Sequence, residues 1–232
     1  SRGLAQSDAF PMVLSDLSDI SGFRMAAYAA VTEDPMAEVM EALTPETGTR
    51  LSKFLEVMLS SRVGLGTVPD ARMGDILRGG ARQSPLLADV ALAAGDAAVP
   101  GLDAPAGQTA AGGLSLQIAG AWLMGLDGRV QGRLTAAEHQ LLRLMQGKIK
   151  KGAISLGDSS VTVLDSSAQI HWTGGQASCA IRLHAKDAHL TDQELEAALT
   201  SDGQAVLAKL AAADCDALGL GRRQMMRCAD WA

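Results

Sequence analysis

The chain has 232 residues, 47% hydrophobic and 20% charged, with 20 basic and 26 acidic side chains and a net charge of -6. This is the composition of a globular protein of one large or two ordinary domains, two being the better prior, and it excludes a disordered chain. The acidic balance argues against a nucleic-acid binder, which neutralises phosphates with a basic face, and no run approaches the 18 uncharged apolar residues of a membrane-spanning helix.

With three Phe, three Trp and one Tyr, the core must be built from Leu, Val, Ile, Met and Ala. The start at Ser1-Arg2-Gly3-Leu4, without an initiator Met or a signal peptide, reads as a fragment of a longer chain. Residues 1–22 are expected to be a helix tail, a loop or a linker. From Phe23 to Glu33 the residues Phe23, Met25, Ala27, Ala29 and Val31 recur at period two and predict a strand. Asp34 as N-cap and Pro35 at the first helical position open a helix with the stripe Met36, Val39, Met40 and Leu43. Leu51, Phe54, Leu55, Met58 and Leu59 predict a second helix, capped by Thr49 and stopped by Gly64 or Gly66. A short amphipathic piece from Ala71 to Leu77 ends at Gly79-Gly80, and Ser84 to Ala93 predicts another strand. Residues 23–94 thus read as a β-α-α-α-β unit.

Residues 95–113 hold Pro100, Pro105 and small residues with little to bury, and are expected to be a connector or a long surface loop. Beyond it, 114–232 reads as an α+β domain. A hairpin turns at Asp127-Gly128, and Thr135 with Glu138 forms a capping box before the Leu-rich helix ended by Gly147 or Gly152. Short strands AISLG, SVTVLD and AQIHWTG follow, then QASCAIRLHAKD and a terminal helix opened by Thr191 and Glu194, in which Gly203 is a possible break. The fold class is α+β: two domains with mostly antiparallel sheets flanked by helices, the second a meander-like sheet with two helices.

No constellation gathers a base, an acid and an oxyanion donor around one atom. His139 is expected on the polar side of its helix, and His171 alternates with Ile170 and Trp172 in a strand. His184, Asp187 and His189 are the nearest approach to a metal-ligand set and read more simply as a polar strand-to-helix loop. Cys179, Cys215 and Cys228 form no C-x2-C knuckle; buried thiols are the simpler reading, with a Cys215–Cys228 bridge open to an extracellular chain. Asp214 and Asp216 suit a helix end, and Gly219-Leu220-Gly221 follows a helix rather than the strand of a dinucleotide fingerprint. Lys148, Lys150 and Lys151 complement a helix C-terminus. No catalytic, cofactor-binding or metal residue is assigned.

Four stretches carry a resemblance to a known family. They are residues 3–43, residues 50–92, residues 116–156 with Gly120, Asp127, Gly132, Leu134, Glu138, Leu142, Gly147, Lys148, Lys150 and Gly152, and the ending with Asp216, Gly219, Gly221 and Trp231. In their order and spacing the chain resembles the C subunits of bacterial spore germinant receptors, the GerAC/GerBC-like lipoproteins, while being richer in Ala and Gly and poorer in Lys. The resemblance implies the middle and C-terminal domains of a three-domain protein, held on the outer face of the cell or spore inner membrane by a lipidated Cys upstream. It implies a non-enzymatic subunit working with a polytopic and another membrane subunit in nutrient sensing and the triggering of germination, without cofactor or nucleic acid. The runner-up is an extracytoplasmic solute-binding or scaffold module of the same shape, with an apolar pocket near 95–113. For contact with partners, the exposed apolar and basic residues near Gly132, Lys148 and Lys150 and the segment Leu218 to Trp231 are the expected surface.

Overall fold

The computed structural model describes residues 1–20, 22–42, 51–77, 84–94, 114–157, 159–173, 176–186 and 190–221. Helices α1 (Arg2–Ala5) and α2 (Ala9–Asp19) precede the short strand β1 (Ala30–Val31), then α3 (Met36–Ala42), α4 (Leu51–Gly64) and α5 (Met73–Leu77) lead to β2 (Leu86–Ala94). The second half runs β3 (Leu114–Met124), β4 (Val130–Leu134), α6 (Ala136–Met145), β5 (Gly152–Leu156), β6 (Ser159–Thr173), β7 (Gln176–Lys186) and α7 (Asp192–Ala212). The strands form a four-stranded sheet in the order β1-β2-β3-β4 and a three-stranded meander β5-β6-β7. Among the described strands only β1 and β2 run parallel. The α+β class with two helix-flanked sheets, the second a meander with two helices, is therefore the observed architecture. Pairing of β2 with β3, from Leu86 opposite Leu123 to Ala94 opposite Leu114, joins the chain on either side of 95–113 into one sheet; residues 95–113 themselves lie outside the described residues.

Two strand expectations are corrected. The Phe23–Glu33 stretch contributes only Ala30 and Val31 to a sheet, because its other backbone groups are bound elsewhere: Ala29 N–H donates to Ala71 O at 2.9 Å, while Ala27 O and Met25 O accept from Met73 and Gly74 N–H at 2.9 and 2.8 Å. SVTVLD and AQIHWTG are one strand, β6, since a register shift between Val163 and Asp165 takes up one residue and lets the polar Asp165-Ser166-Ser167 run stay paired with β7.

The sheet formed by β1 to β4 alternates its faces, as period-two side chains require. Leu87, Trp122, Met124 and Val130 pack under α1, α2 and α5, with Phe10, Leu14 and Phe23. Val90 and Ile118 on the opposite side meet Val39, Leu59 and Phe54 of α3 and α4. Ala121, Leu123 and Leu134 meet α6, and α6 in turn meets Ile154, Leu156, Val161 and Val163 of the meander and Val206 and Leu210 of α7. A helix wedged between two sheets has almost no wet side: His139, Gln140, Leu141, Leu142, Leu144 and Met145 are all buried. His139 is thus inside, contrary to the expectation that it faces solvent.

The α7 helix runs through Gly203 without a break, and a Cβ added there meets nothing within 4 Å. Since glycine in a helix interior costs about 1 kcal/mol relative to alanine, Gly203→Ala is expected to stabilise the fold by about 0.5–1 kcal/mol in urea denaturation.

Candidate interaction surface

The β3–β4 hairpin carries four of the motif residues, Gly120, Asp127, Gly132 and Leu134. Asp127 Oδ1 accepts from Arg129 N–H at 3.0 Å, and Gly128 at φ +77° completes the turn. That backbone hydrogen bond holds the Asp127 carboxyl below its usual range. Arg129 also pairs with Asp8, tying the turn to the residue that precedes α2. Gly120 lies where β3 carries one extra residue against β2, with φ +101° and its N–H on Thr67 O at 3.0 Å. Gly132 is close-packed: a Cβ there would sit 3.2 Å from Leu123 and 3.3 Å from Ala213.

The α6 capping box is complete. Glu138 N–H donates to the Thr135 hydroxyl at 3.3 Å, and Glu138 Oε2 accepts from Thr135 N–H at 2.9 Å. The same carboxylate receives Lys209 Nζ of α7 at 2.7 and 2.8 Å. Burial would raise the Glu138 pKa, but the Lys209 ammonium and the Thr135 N–H outweigh it and hold the group below its usual range. Just beyond, His139 Nδ1 lies 2.8 Å from Gly66 O, and the Gln140 amide donates to Leu65 O and Ala153 O at 3.1 and 3.2 Å while accepting from Ser155 N–H at 3.2 Å. These two side chains bind the end of α4 and strand β5 to α6.

At its C-terminus α6 closes in a Schellman motif. Gly147 at φ +69° donates to Leu144 O at 2.9 Å and Lys148 N–H to Arg143 O at 2.9 Å. The lysines then diverge. Lys148, Lys150 and Lys151 are all exposed, and Lys150 reaches Ser166 O of β6 with its Nζ at 3.1 Å. Gly152, at φ +131°, begins β5.

The final motif is a turn organised by Asp216. Its two carboxylate oxygens accept from Leu220 and Gly221 N–H at 2.6 and 2.9 Å, and its carbonyl accepts from Ser84 and Gly219 N–H, both at 3.1 Å. Gly219 has φ +67°. Removing the carboxylate orphans two donors, so Asp216→Ala is expected to cost about 1–3 kcal/mol in urea denaturation, with Asp216→Asn recovering part of it through the one oxygen it keeps.

The motif residues are thus distributed over four turns and helix ends rather than gathered at one point. Glu138 meets α7, Lys148, Lys150 and Gly152 line the turn beside β6, and Asp216, Gly219 and Gly221 share a loop. Trp231, Asp187, His189, Cys228 and the Gly79-Gly80 pair lie outside the described residues. Leu218, expected at the surface, is buried in the α6–α7 core, because the Asp216 turn folds it inward. His171 and His184 are exposed on the outer face of the meander, His184 opposite Asp165. Cys179 packs beside the core below Met145, and Cys215 is buried, which pushes its thiol pKa up to about 11. Among the described residues no group of three or more His, Cys, Asp or Glu has the geometry to hold a metal ion, and no helix is long and apolar enough to cross a membrane.

One cluster escaped the sequence reading. Asp89, only 2% exposed, accepts from Trp122 Nε1 at 2.9 Å and pairs with Arg133 at 2.5 Å, while the Arg2 and Arg133 guanidinium groups lie 5.5 Å from the Trp122 ring. Burial raises the Asp89 pKa despite Arg133 and Trp122. The signal was present: a lone acid inside the apolar run Leu86–Ala94.

No protein-family model matches the sequence, and no curated protein matches it. Among solved structures, the crystal structure of the GerBC protein is similar to this chain, with a TM-score of 0.53 and 15% identity over 90% of this chain and 61% of that one. The chain has a GerBC-like fold and spans 61% of that protein's length.

Proposed function

We propose that the chain is the middle and C-terminal part of a non-enzymatic, lipid-anchored subunit of a spore germinant receptor, acting with polytopic and other membrane subunits in nutrient sensing. The observation that carries this reading is the GerBC-like fold over 90% of the chain. The turn-forming roles of Gly147, Asp216 and Gly219 support it, since these are motif residues on which the sequence resemblance rests. In this reading Gly120, Gly132 and Gly152 keep the framework, and Lys148 and Lys150 belong to the face that meets other subunits.

The test is genetic. The complete gene is expected to encode a lipoprotein signal ending in Cys, and spores lacking the gene are expected to lose their response to nutrients while still germinating with a non-nutrient trigger. Normal nutrient germination in the deletion strain would sink the receptor role and leave the fold untouched. A thermal-shift screen of small solutes then addresses the solute-binding alternative, because a ligand that binds only the folded state raises the apparent melting temperature.

A further inference from the structure

Strand β6 is much longer than its neighbour on one side. β5 pairs with it only from Ser159 to Val163, where Gly152 ends the ladder, whereas β7 follows it to Thr173. Leu156 and Ser159 form the last pair at one turn and Thr173 and Gln176 at the other, each with two residues between them. In hairpins of that length the closing residues bond each other through both backbone groups. Counting from the two turns, residues 159, 161 and 163 direct their N–H and C=O groups at β5, and residues 165, 167, 169, 171 and 173 direct theirs at β7. The bulge between Val163 and Asp165 makes the switch.

Ser166, Ala168, Ile170 and Trp172 therefore turn their backbone groups to the other edge. Ser166 O indeed accepts Lys150 Nζ on that side. The turn before β5 covers the first part of this edge: the Ser166 hydroxyl donates to Ile149 O, and Gly147 lies against the Ala168 backbone. Past Ala168 no described residue gives a backbone hydrogen bond to Ile170 or Trp172 from that side. A shallow groove of about 370 Å³ runs beside it, lined by Met145, Gln146, Ala168, Gln169, Ile170 and His171.

We propose that this edge accepts an extended segment of a partner protein as an added strand, paired with Ile170 and Trp172 and acidic at the end nearest Lys148 and Lys151. Open strand edges bind extended chains through main-chain hydrogen bonds, while alternate side chains read the flanking surface. One row of the segment's side chains would lie over Met145 and Ile170 and the other beside Gln169 and His171. The charge selects the occupant. Lys148 and Lys151 are exposed, with Asp70 the one carboxylate acting on Lys148 and no ion pair closer than 4 Å to either among the described residues, and residues 166–172 carry no carboxylate, so a second copy would offer another basic edge rather than its complement. The proposal does not depend on the germination role.

A random twelve-residue peptide library displayed on phage and panned on the wild-type chain provides the probe. Enriched peptides are expected to alternate apolar residues and to contain Asp or Glu. The synthetic winner is expected to slow amide exchange of Ile170 and Trp172 at least about tenfold by NMR and to lose binding when N-methylated in one of its two alternating registers. A Lys148→Glu, Lys151→Glu double variant should weaken it about tenfold. The proposal is overturned if no peptide is enriched, if the winner protects amides elsewhere, or if methylation in neither register weakens it. Self-association that protects Ile170 and Trp172 without peptide would equally overturn it, in favour of a second copy.

Discussion

Gly120→Ala is expected to cost more than about 3 kcal/mol, enough to unfold much of the protein at moderate urea. Two independent penalties coincide there. The backbone sits at φ +101°, a conformation that L side chains rarely adopt, and a Cβ would come within 2.4 Å of Leu134 O. That oxygen belongs to the backbone of β4, so no side-chain rotation relieves the contact. Moving the backbone instead would disturb the Gly120 N–H bond to Thr67 O and the bulge that bends β3 over α6. Gly152→Ala provides the comparison: its φ is +131° but nothing lies within 4 Å of the added carbon. Backbone strain alone should cost about 1–2 kcal/mol there. Equal losses in the two variants, measured by urea denaturation, would show that the Leu134 contact is not what demands glycine at 120.

The difference between these glycines explains what could be read from the sequence. Signals that act within a few residues were legible. Thr135 with Glu138 and Thr191 with Glu194 announced two helices, and both boxes form. Gly147 or Gly152 announced the end of α6, and it is Gly147 that forms the Schellman turn. Asp127-Gly128 announced the β3–β4 hairpin. Gly120 was recognised only as part of a spaced pattern, because the carbonyl that excludes a side chain comes from Leu134 on another strand. Period-two alternation from Phe23 to Glu33 was real as a pattern, but only its end from Ala29 to Val31 meets β2, and the groups before it pair with the 71–74 segment rather than a sheet. For β6 the polar Ser166-Ser167 pair reads as a break between SVTVLD and AQIHWTG, since nothing local reveals that Lys150 and Ile149 bind Ser166 from across the edge. The edge beyond Ala168 was invisible for the same reason: it depends on where β5 stops.

His139 is the clearest case of a long-range cause, and it yields the second large effect. A histidine within a helical pattern reads as a solvated side chain, yet this one is 1% exposed with Nδ1 2.8 Å from Gly66 O, 73 residues earlier. Burial lowers its pKa from 6.5 to about 4, with the Gly66 carbonyl opposing and the Arg143 and Lys148 charges adding to the shift. The sign follows from linkage. Above pH 6.5 the ring is neutral in both the folded and unfolded chain and contributes no pH dependence. As the pH falls from 6.5 to about 4, the unfolded chain takes up a proton that the folded one refuses, and stability drops. Below that window both states are protonated and the loss is complete, at roughly 3 kcal/mol. Asp89, whose pKa is raised, acts in the opposite sense toward the acid end of the window, whereas the lowered Glu138, Glu194 and Asp127 carboxyls begin to lose their contribution as the pH falls through the ordinary carboxylate range, inside the lower part of the window. His139→Leu should start about 1–3 kcal/mol less stable because the Gly66 carbonyl loses its partner, but between pH 6.5 and about 4 its stability should fall only by what the carboxylates lose, without the histidine's share. Urea denaturation of both chains across that range reads the difference directly. If the two curves keep the same slope, the acid sensitivity belongs to another group, and the buried imidazole is not the neutral hinge that joins α6 to the end of α4.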